Sequence, residues 1–211
     1  MGYRQVTILC EGQSEESFVK KVLASYLEKE GVYVTPIVLG GVSRYAGIRK
    51  ELRKLGKNKS ASLTTMLDYY KLPQDVPGVG EGNSKEPGEI ASGIEARIYE
   101  DLQNEISCKS FFPYIQMHEY EALLLADVDS FRDCIGMSEP MIAELKKEVT
   151  KFLTPEHVNN SEQTAPSKRI LRIYGKYQKV SDGTLIAMSI GIDKMIDRCP
   201  HFAEWVKKLI E

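Results

Sequence analysis

Gln5-Val6-Thr7-Ile8-Leu9-Cys10-Glu11-Gly12-Gln13-Ser14-Glu15-Glu16-Ser17-Phe18 opens the chain and decides its fold. Residues 5–10 form a mostly apolar run with β-branched members that stops at Glu11-Gly12, the pattern of a buried parallel strand entering a turn. Ser14 is placed to cap a helix, and Glu15 and Glu16 suit the positive end of its dipole. Phe18, Val19, Val22, Leu23, Tyr26 and Leu27 then recur at helical spacing until Gly31. A strand, a turn and a helix therefore begin the protein.

Working outward, the same alternation returns. Residues 32–39 predict a second strand, in which Pro36 forfeits a ladder hydrogen bond and so favours a sheet edge or a bulge. Ile48 to Leu55 predicts a short basic helix, and Ser62 to Leu67 a third strand ending at Asp68. Gly93 to Ile106 predicts an acidic helix with Ile94, Ile98, Leu102 and Ile106 in one stripe, and Phe111 to Met117 a fourth strand leading into His118-Glu119-Tyr120-Glu121. Residues 71–92 hold three prolines and four glycines, a long loop suited to a lid. Strands alternating with helices predict an α/β fold: a mostly parallel sheet of about four strands flanked by helices. Beyond residue 130 the spacing is helical at 141–152, 170–174, 185–196 and 202–209. The expected division is an α/β domain over 1–130 and a C-terminal helical subdomain over 131–211 packed on it. Gly191, inside the 185–196 stretch, is expected to mark a close packing contact.

The 211 residues carry a net charge of −2, with 42% hydrophobic and 27% charged side chains. That is ordinary globular composition and excludes disorder, collagen and coiled coil. No uncharged apolar run approaches the roughly 20 residues needed to cross a bilayer, so no membrane partner is expected. The first residues show neither an apolar signal core nor the Ser or Thr of a myristoylation motif, and a cytoplasmic protein is expected. Cys10, Cys108, Cys134 and Cys199 lie far apart without a C-x-x-C pair, which predicts reduced, mostly buried thiols and neither zinc nor a redox dithiol.

Ligands of parallel sheets sit beyond the carboxyl ends of the strands. Glu11 follows strand one, Asp68 strand three and His118-Glu119 strand four, so three acidic groups converge on one rim. A single acid at a strand end often marks only the chain leaving the core. Several together repel one another and raise their pKa values, a cost that a bound divalent cation offsets. All-oxygen donors favour Mg²⁺ or Mn²⁺ over zinc. Glu121 shares the face of Glu119 if the strand continues and diverges from it if a helix has begun. His118 either relays a proton or orients Glu119 as a hydrogen-bond donor.

Seven basic residues, among them Arg44, Arg49 and Arg53, lie between Ser43 and Ser60 against one acid, Glu51. Five more, among them Arg172, Lys176 and Lys179, lie between Thr164 and Val180. Either run could neutralise nucleic-acid phosphates, with Tyr174 and Tyr177 stacking on bases, or be a solvated helix face. His157 and His201 are expected at the surface or at helix caps, and Trp205 in a helix core. Gly78-Val79-Gly80-Glu81-Gly82 follows no strand and precedes no Gly-Lys-Ser, so it is not taken as a nucleotide loop.

Four segments carry a family resemblance: Glu11-Gly12-Gln13-Ser14-Glu15-Glu16-Ser17-Phe18, Leu67-Asp68-Tyr69-Tyr70, Gln116-Met117-His118-Glu119-Tyr120-Glu121-Ala122-Leu123-Leu124 and Pro166-Ser167-Lys168-Arg169. On them the chain resembles the domain-of-unknown-function family 4276 over nearly its whole length. That resemblance implies kinship with the Toprim fold, the metal-binding α/β domain of topoisomerases, primases and the overcoming-lysogenization-defect nucleases. It implies metal-binding roles for Glu11 and Asp68, with Glu15 as the second glutamate of an E-G-x-x-E motif, around Mg²⁺ or Mn²⁺. Tyr70 stands where the motif D-x-D has its second aspartate; Glu119 is the candidate to supply that carboxylate, and one ion or two remain open. The resemblance marks Lys168 and Arg169 as the cations beside a scissile phosphate.

The function expected is a Mg²⁺- or Mn²⁺-dependent Toprim-like nuclease acting on DNA or RNA, with a role by family analogy in defence against foreign DNA alongside a separate ATPase. Two other classes stand beside it. One is a non-catalytic protein-binding adaptor with a degenerate metal site. The other is a receiver-like phosphoacceptor at Asp68, which needs an acidic pair after strand one, where this chain has a single Glu followed by Gly.

Overall fold

The computed structural model describes residues 3–159 and 162–211. Strand β1 (Arg4–Cys10) lies between β2 (Val32–Val38) and β3 (Ala61–Asp68), and β3 pairs on its far side with two short strands, β4 (Phe111–Phe112) and β5 (Ile115–Gln116). Every pairing is parallel. The protein has the α/β fold that the alternation predicts, with Pro36 on the edge strand β2, where its missing N–H leaves no central ladder broken.

Side chains alternate across the sheet, and each face has its own core. Val6, Ile8 and Cys10 of β1 enter one apolar cluster and Leu9 the other. All eight residues of β3 are buried, as a central strand covered on both faces requires. Helices α3 (Tyr45–Leu55) and α4 (Pro87–Leu102) cover the Leu9 face through Ile48, Leu52, Ile94, Ile98 and Leu102. The other face receives α1 (Gln13–Phe18), a π-helical stretch Val19–Leu23 and α2 (Ala24–Leu27). It also receives the helices of the C-terminal part. These are α5 (Glu121–Leu124), α6 (Ser130–Ile135), α7 (Glu139–Val149), α8 (Pro166–Ile173), α9 (Ser181–Ile190), α10 (Ile192–Arg198) and α11 (Pro200–Ile210). One cluster runs from Val6 to Leu209, so these helices share a core with the sheet. Its keystone is Trp205, stacked on Tyr114 at 4.4 Å and donating from Nε1 to Thr64 Oγ1 of β3 at 2.9 Å.

Several elements depart from the sequence expectations for identifiable reasons. The fourth strand is split at Pro113, which offers no N–H; the Thr65 hydroxyl bridges the gap, donating to Tyr114 O at 2.7 Å and accepting from Tyr114 N–H at 2.8 Å. Helix α1 is capped by extended Gly12 and not by Ser14, because Glu15 Oε2 accepts the Gly12 N–H at 2.8 Å. Pro87 starts α4 within the expected loop, and Ile106 falls beyond its end. Gly191, with φ at 76°, separates α9 from α10; a Cβ there would meet nothing within 4 Å, so backbone conformation and not close packing calls for glycine. His201 is buried, stacked on Tyr114 and hydrogen-bonded through Nε2 to Glu95 Oε1 at 2.8 Å, because the apolar face of α11 carries it inward. All four cysteines are free, Cys10 and Cys199 buried and the other two half-buried. Among the described residues no helix is long and apolar enough to cross a membrane.

Two glycines report on this geometry in opposite directions. Gly191→Ala should lower stability by about 1–2 kcal/mol because its backbone angles exclude a side chain. Gly93→Ala, in the exposed interior of α4 with open space around it, should raise stability by about 0.5–1 kcal/mol. Urea unfolding midpoints measure both, and shifts of the same sign would contradict the assignment.

Candidate functional site

Glu11 is the first residue past β1, and its Oε2 accepts the backbone N–H of Asp68, the last residue of β3, at 3.1 Å. The ends of two adjacent strands are thereby joined by one carboxylate. Asp68 is buried, and its Oδ1 has no hydrogen-bond partner. Glu15, buried on the first turn of α1, commits Oε2 to Gly12 N–H. Glu119, past β5, commits Oε2 to the N–H of Ser167 at 3.0 Å, at the amino end of α8. Glu121 opens α5 and is buried. Lys179, just before α9, brings Nζ within 3.4 Å of Glu121 Oε1 and 3.9 Å of Glu119 Oε1.

The convergence has electrostatic consequences. Burial, then the fields of Glu15, Glu11, Glu121 and Glu119, hold the Asp68 carboxyl well above its ordinary range. Burial and Glu15 push Glu11 up to about 7, against the Asp68 N–H, Lys71 and Lys179. Burial likewise lifts Glu121 to about 7, with Lys179 opposing and Glu119 adding. Glu15 is raised by burial, although its backbone hydrogen bonds and Lys179 pull the other way. Burial lowers Lys179, but Glu121, Glu119 and Asp68 more than offset it and its pKa is raised. Burial first, and the fields of neighbouring acids second, thus raise Glu11, Glu15, Asp68 and Glu121.

A hard divalent cation suits this donor set: every donor is oxygen, and Asp68 Oδ1 is a buried acceptor without a partner. The shell is gathered but not closed. Among the described residues no three Asp, Glu, His or Cys side chains are arranged as a ready coordination set. Backbone N–H groups hold one oxygen each of Glu11, Glu15 and Glu119, and Lys179 lies against Glu119 and Glu121.

The structure brings Glu11, Glu15, Asp68 and Glu119 together, and adds Glu121 and Lys179. A helix has begun at Glu121, yet Glu121 and Glu119 do not diverge, because the chain turns sharply into a four-residue helix and Lys179 reaches both. His118 is buried, stacked on Tyr70 with ring centres 5.2 Å apart. Burial and the nearby His157 lower its pKa to about 4 against the pull of Glu119, and Nδ1 has no hydrogen-bond partner. Ser167 N–H and Lys179, and not the imidazole, orient Glu119.

The basic candidates are scattered. Lys168 is exposed. Arg169 turns away from the carboxylates into the body of the protein: Nε donates to Thr164 O at 2.7 Å, Nη1 to Glu148 at 3.0 Å, and the guanidinium covers the Phe152 ring. Arg172 pairs with the same Glu148. Arg49 pairs with Asp101 at 2.9 Å and with Glu105, and Arg53 with Glu105 at 2.7 Å, so acids at the end of α4 and just beyond it neutralise much of the first basic run. Arg44 and Lys176 are exposed. Tyr177 is buried and offers no stacking face, while the Tyr174 hydroxyl is tied to Ile135 O at 2.7 Å.

Fold and rim together define a class: a parallel α/β protein whose carboxyl edge gathers five acidic side chains, four buried and Glu11 half-buried, beside one lysine. The chain belongs to the family described as Domain of unknown function (DUF4276), whose model matches residues 10–210 and so spans every residue of the rim. No curated protein and no solved structure matches it.

The raised acids set a pH dependence. Glu11 and Glu121 titrate near 7 when folded and near 4.5 when not, so between these values the native state holds more protons and stability must fall as pH rises. In calorimetry without divalent cations, Tm should drop by roughly 5–10 °C from about pH 5 to about pH 8. The double variant Glu11→Gln, Glu121→Gln should flatten that slope; a parent profile that rises over this range would contradict the burial described.

Proposed function

We propose that the rim is the active site of a Mg²⁺- or Mn²⁺-dependent phosphodiester hydrolase acting on nucleic acid. The observation that carries this reading is the gathering of Glu11, Glu15, Glu119 and Glu121 around buried Asp68, five carboxylates from three separate chain segments, with Asp68 Oδ1 unpartnered. The E-G-x-x-E of residues 11–15 and the Toprim resemblance support it. Glu11, Asp68 and Glu119 would hold the cation, with Glu15 and Glu121 completing the acidic wall. When bound, the cation supplies charge to the phosphodiester and to the leaving oxygen.

The remaining roles fall to the chain itself. Ser167 N–H keeps Glu119 aimed at the centre. Lys179 offsets the surplus negative charge before substrate arrives. His118, neutral at pH 7 and stacked on Tyr70, stands next to Glu119, and the proton-relay role for it rests on that position alone. Exposed Lys168, Arg44 and Lys176 are among the cations available to backbone phosphates. Cytoplasmic action in defence, with a separate ATPase, rests on the resemblance alone.

The Lys179 ion pairs favour a second reading, a protein-binding adaptor in which the ammonium has permanently taken the cation's place. Incubation with plasmid DNA and with RNA in Mn²⁺ separates the two. The hydrolase reading expects cleavage, a Mn²⁺-induced rise in Tm, and loss of activity by roughly 100-fold or more in Glu11→Gln and in Asp68→Asn. Cleavage unchanged in both variants, or neither cleavage nor a Tm response in the parent, would overturn it.

A further inference from the structure

Beside the acidic rim, sharing Glu11 as a wall, a cleft of about 240 Å³ opens beyond the carboxyl ends of β1, β2 and β3. Leu39, Val42, Leu67 and Leu72 supply apolar walls, and Lys71 stands with Glu11 among its lining. The walls are fixed in place. Leu67 and Leu72 belong to the core beneath, and Val42 packs on α3 so closely that a Cβ on Gly47 would lie 2.8 Å from its Cγ1. The loop carrying Leu72 is tied to the start of α3 by the Tyr45 N–H, which Asp75 accepts at 2.9 Å.

The remaining wall is bare backbone. Leu39 N–H bonds Cys10 O at 2.8 Å, but among the described residues the N–H groups of Gly40, Gly41 and Val42 donate to nothing else in the protein. Gly40 adopts φ of +73°, which turns the chain out of β2 there.

Apolar walls, unspent backbone donors and a single cation at the acidic margin suit a flat heterocycle with acceptor edges joined to a phosphate. Pockets for drug-sized ligands run from about 300 Å³ upward, so this smaller cleft holds one base and not a base pair. We propose that the cleft receives one unstacked nucleobase of the substrate, next to the phosphate that lies over Glu11 and Asp68, with Lys71 facing that phosphate. The proposal rests on the hydrolase reading and narrows it. A duplex must expel a base to fill the cleft, whereas a single strand or frayed end presents one freely, so single-stranded nucleic acid is the preferred substrate.

Adenosine, uncharged and so independent of any cation, is the direct probe. Titrated into the metal-free, ¹⁵N-labelled protein, it should bind in the millimolar range and shift the amides of Gly40, Gly41 and Val42. Gly41→Phe should weaken binding about tenfold or more. Its ordinary φ and the open space around it admit a side chain without disturbing the fold. Lys71→Gln should weaken adenosine monophosphate and leave adenosine unaffected, which keeps the test decisive should Gly41→Phe fold poorly. In Mn²⁺ the parent should cut a single strand at least about tenfold faster than the same sequence in a blunt duplex.

No adenosine-dependent shifts at these amides, or undiminished binding in Gly41→Phe, overturns the cleft assignment. Hydrolysis of both strands alike without adenosine binding sinks the cleft and spares the hydrolase. Adenosine binding without any hydrolysis upholds the cleft and sinks the hydrolase.

Discussion

Like charges gathered where water is scarce repel strongly, and the carboxyl rim of this sheet must hold five acids in that condition. The fold contains the repulsion by three means. Backbone N–H groups of Gly12, Asp68 and Ser167 each take one oxygen of Glu15, Glu11 and Glu119. Lys179 lies against Glu119 and Glu121, and protons stay on Glu11 and Glu121 up to about 7. Each of these requires the parallel sheet with cores on both faces, because only rigid strand ends keep groups from opposite parts of the chain in register. Burying unpaired acids costs stability, and folds retain such arrangements chiefly at functional sites.

The layout explains which parts were legible in the sequence. β-branched runs stopping at an acid mark strand ends locally, so Glu11, Asp68 and Glu119 could be placed on one rim from periodicity and the direction of parallel strands. Lys179 could not. It lies sixty residues past Glu119 in a run of cations, and nothing in that run distinguishes the one that folds back from those facing solvent. Arg169 failed for the converse reason: a motif position names a residue but not the direction its side chain takes, and here Ser167 serves through its backbone while Arg169 ties α8 to α7. The split of the fourth strand at Pro113 depends on Thr65, some fifty residues away, whose hydroxyl replaces the missing ladder bond. The burial of His201 likewise depends on Glu95 and Tyr114, partners remote in the chain.

The carboxyl edge divides into two chemical territories that meet at Glu11. On one side lie the acids and Lys179, suited to a hard cation and a phosphate. On the other lie leucines, two glycines and unspent backbone donors, suited to a neutral flat group. Arg49 and Arg53 of α3 and Arg169 of α8 are paired with acids, so these arginines add little free positive charge to the surface.

Anomalous diffraction from a crystal soaked in Mn²⁺, recorded near the manganese absorption edge, tests the central claim most directly. The account predicts a peak enclosed by oxygens of Glu11, Asp68 and Glu119, with the Lys179 ammonium displaced from them. No peak at the rim, or one confined to surface acids with Lys179 still against Glu119 and Glu121, would contradict it.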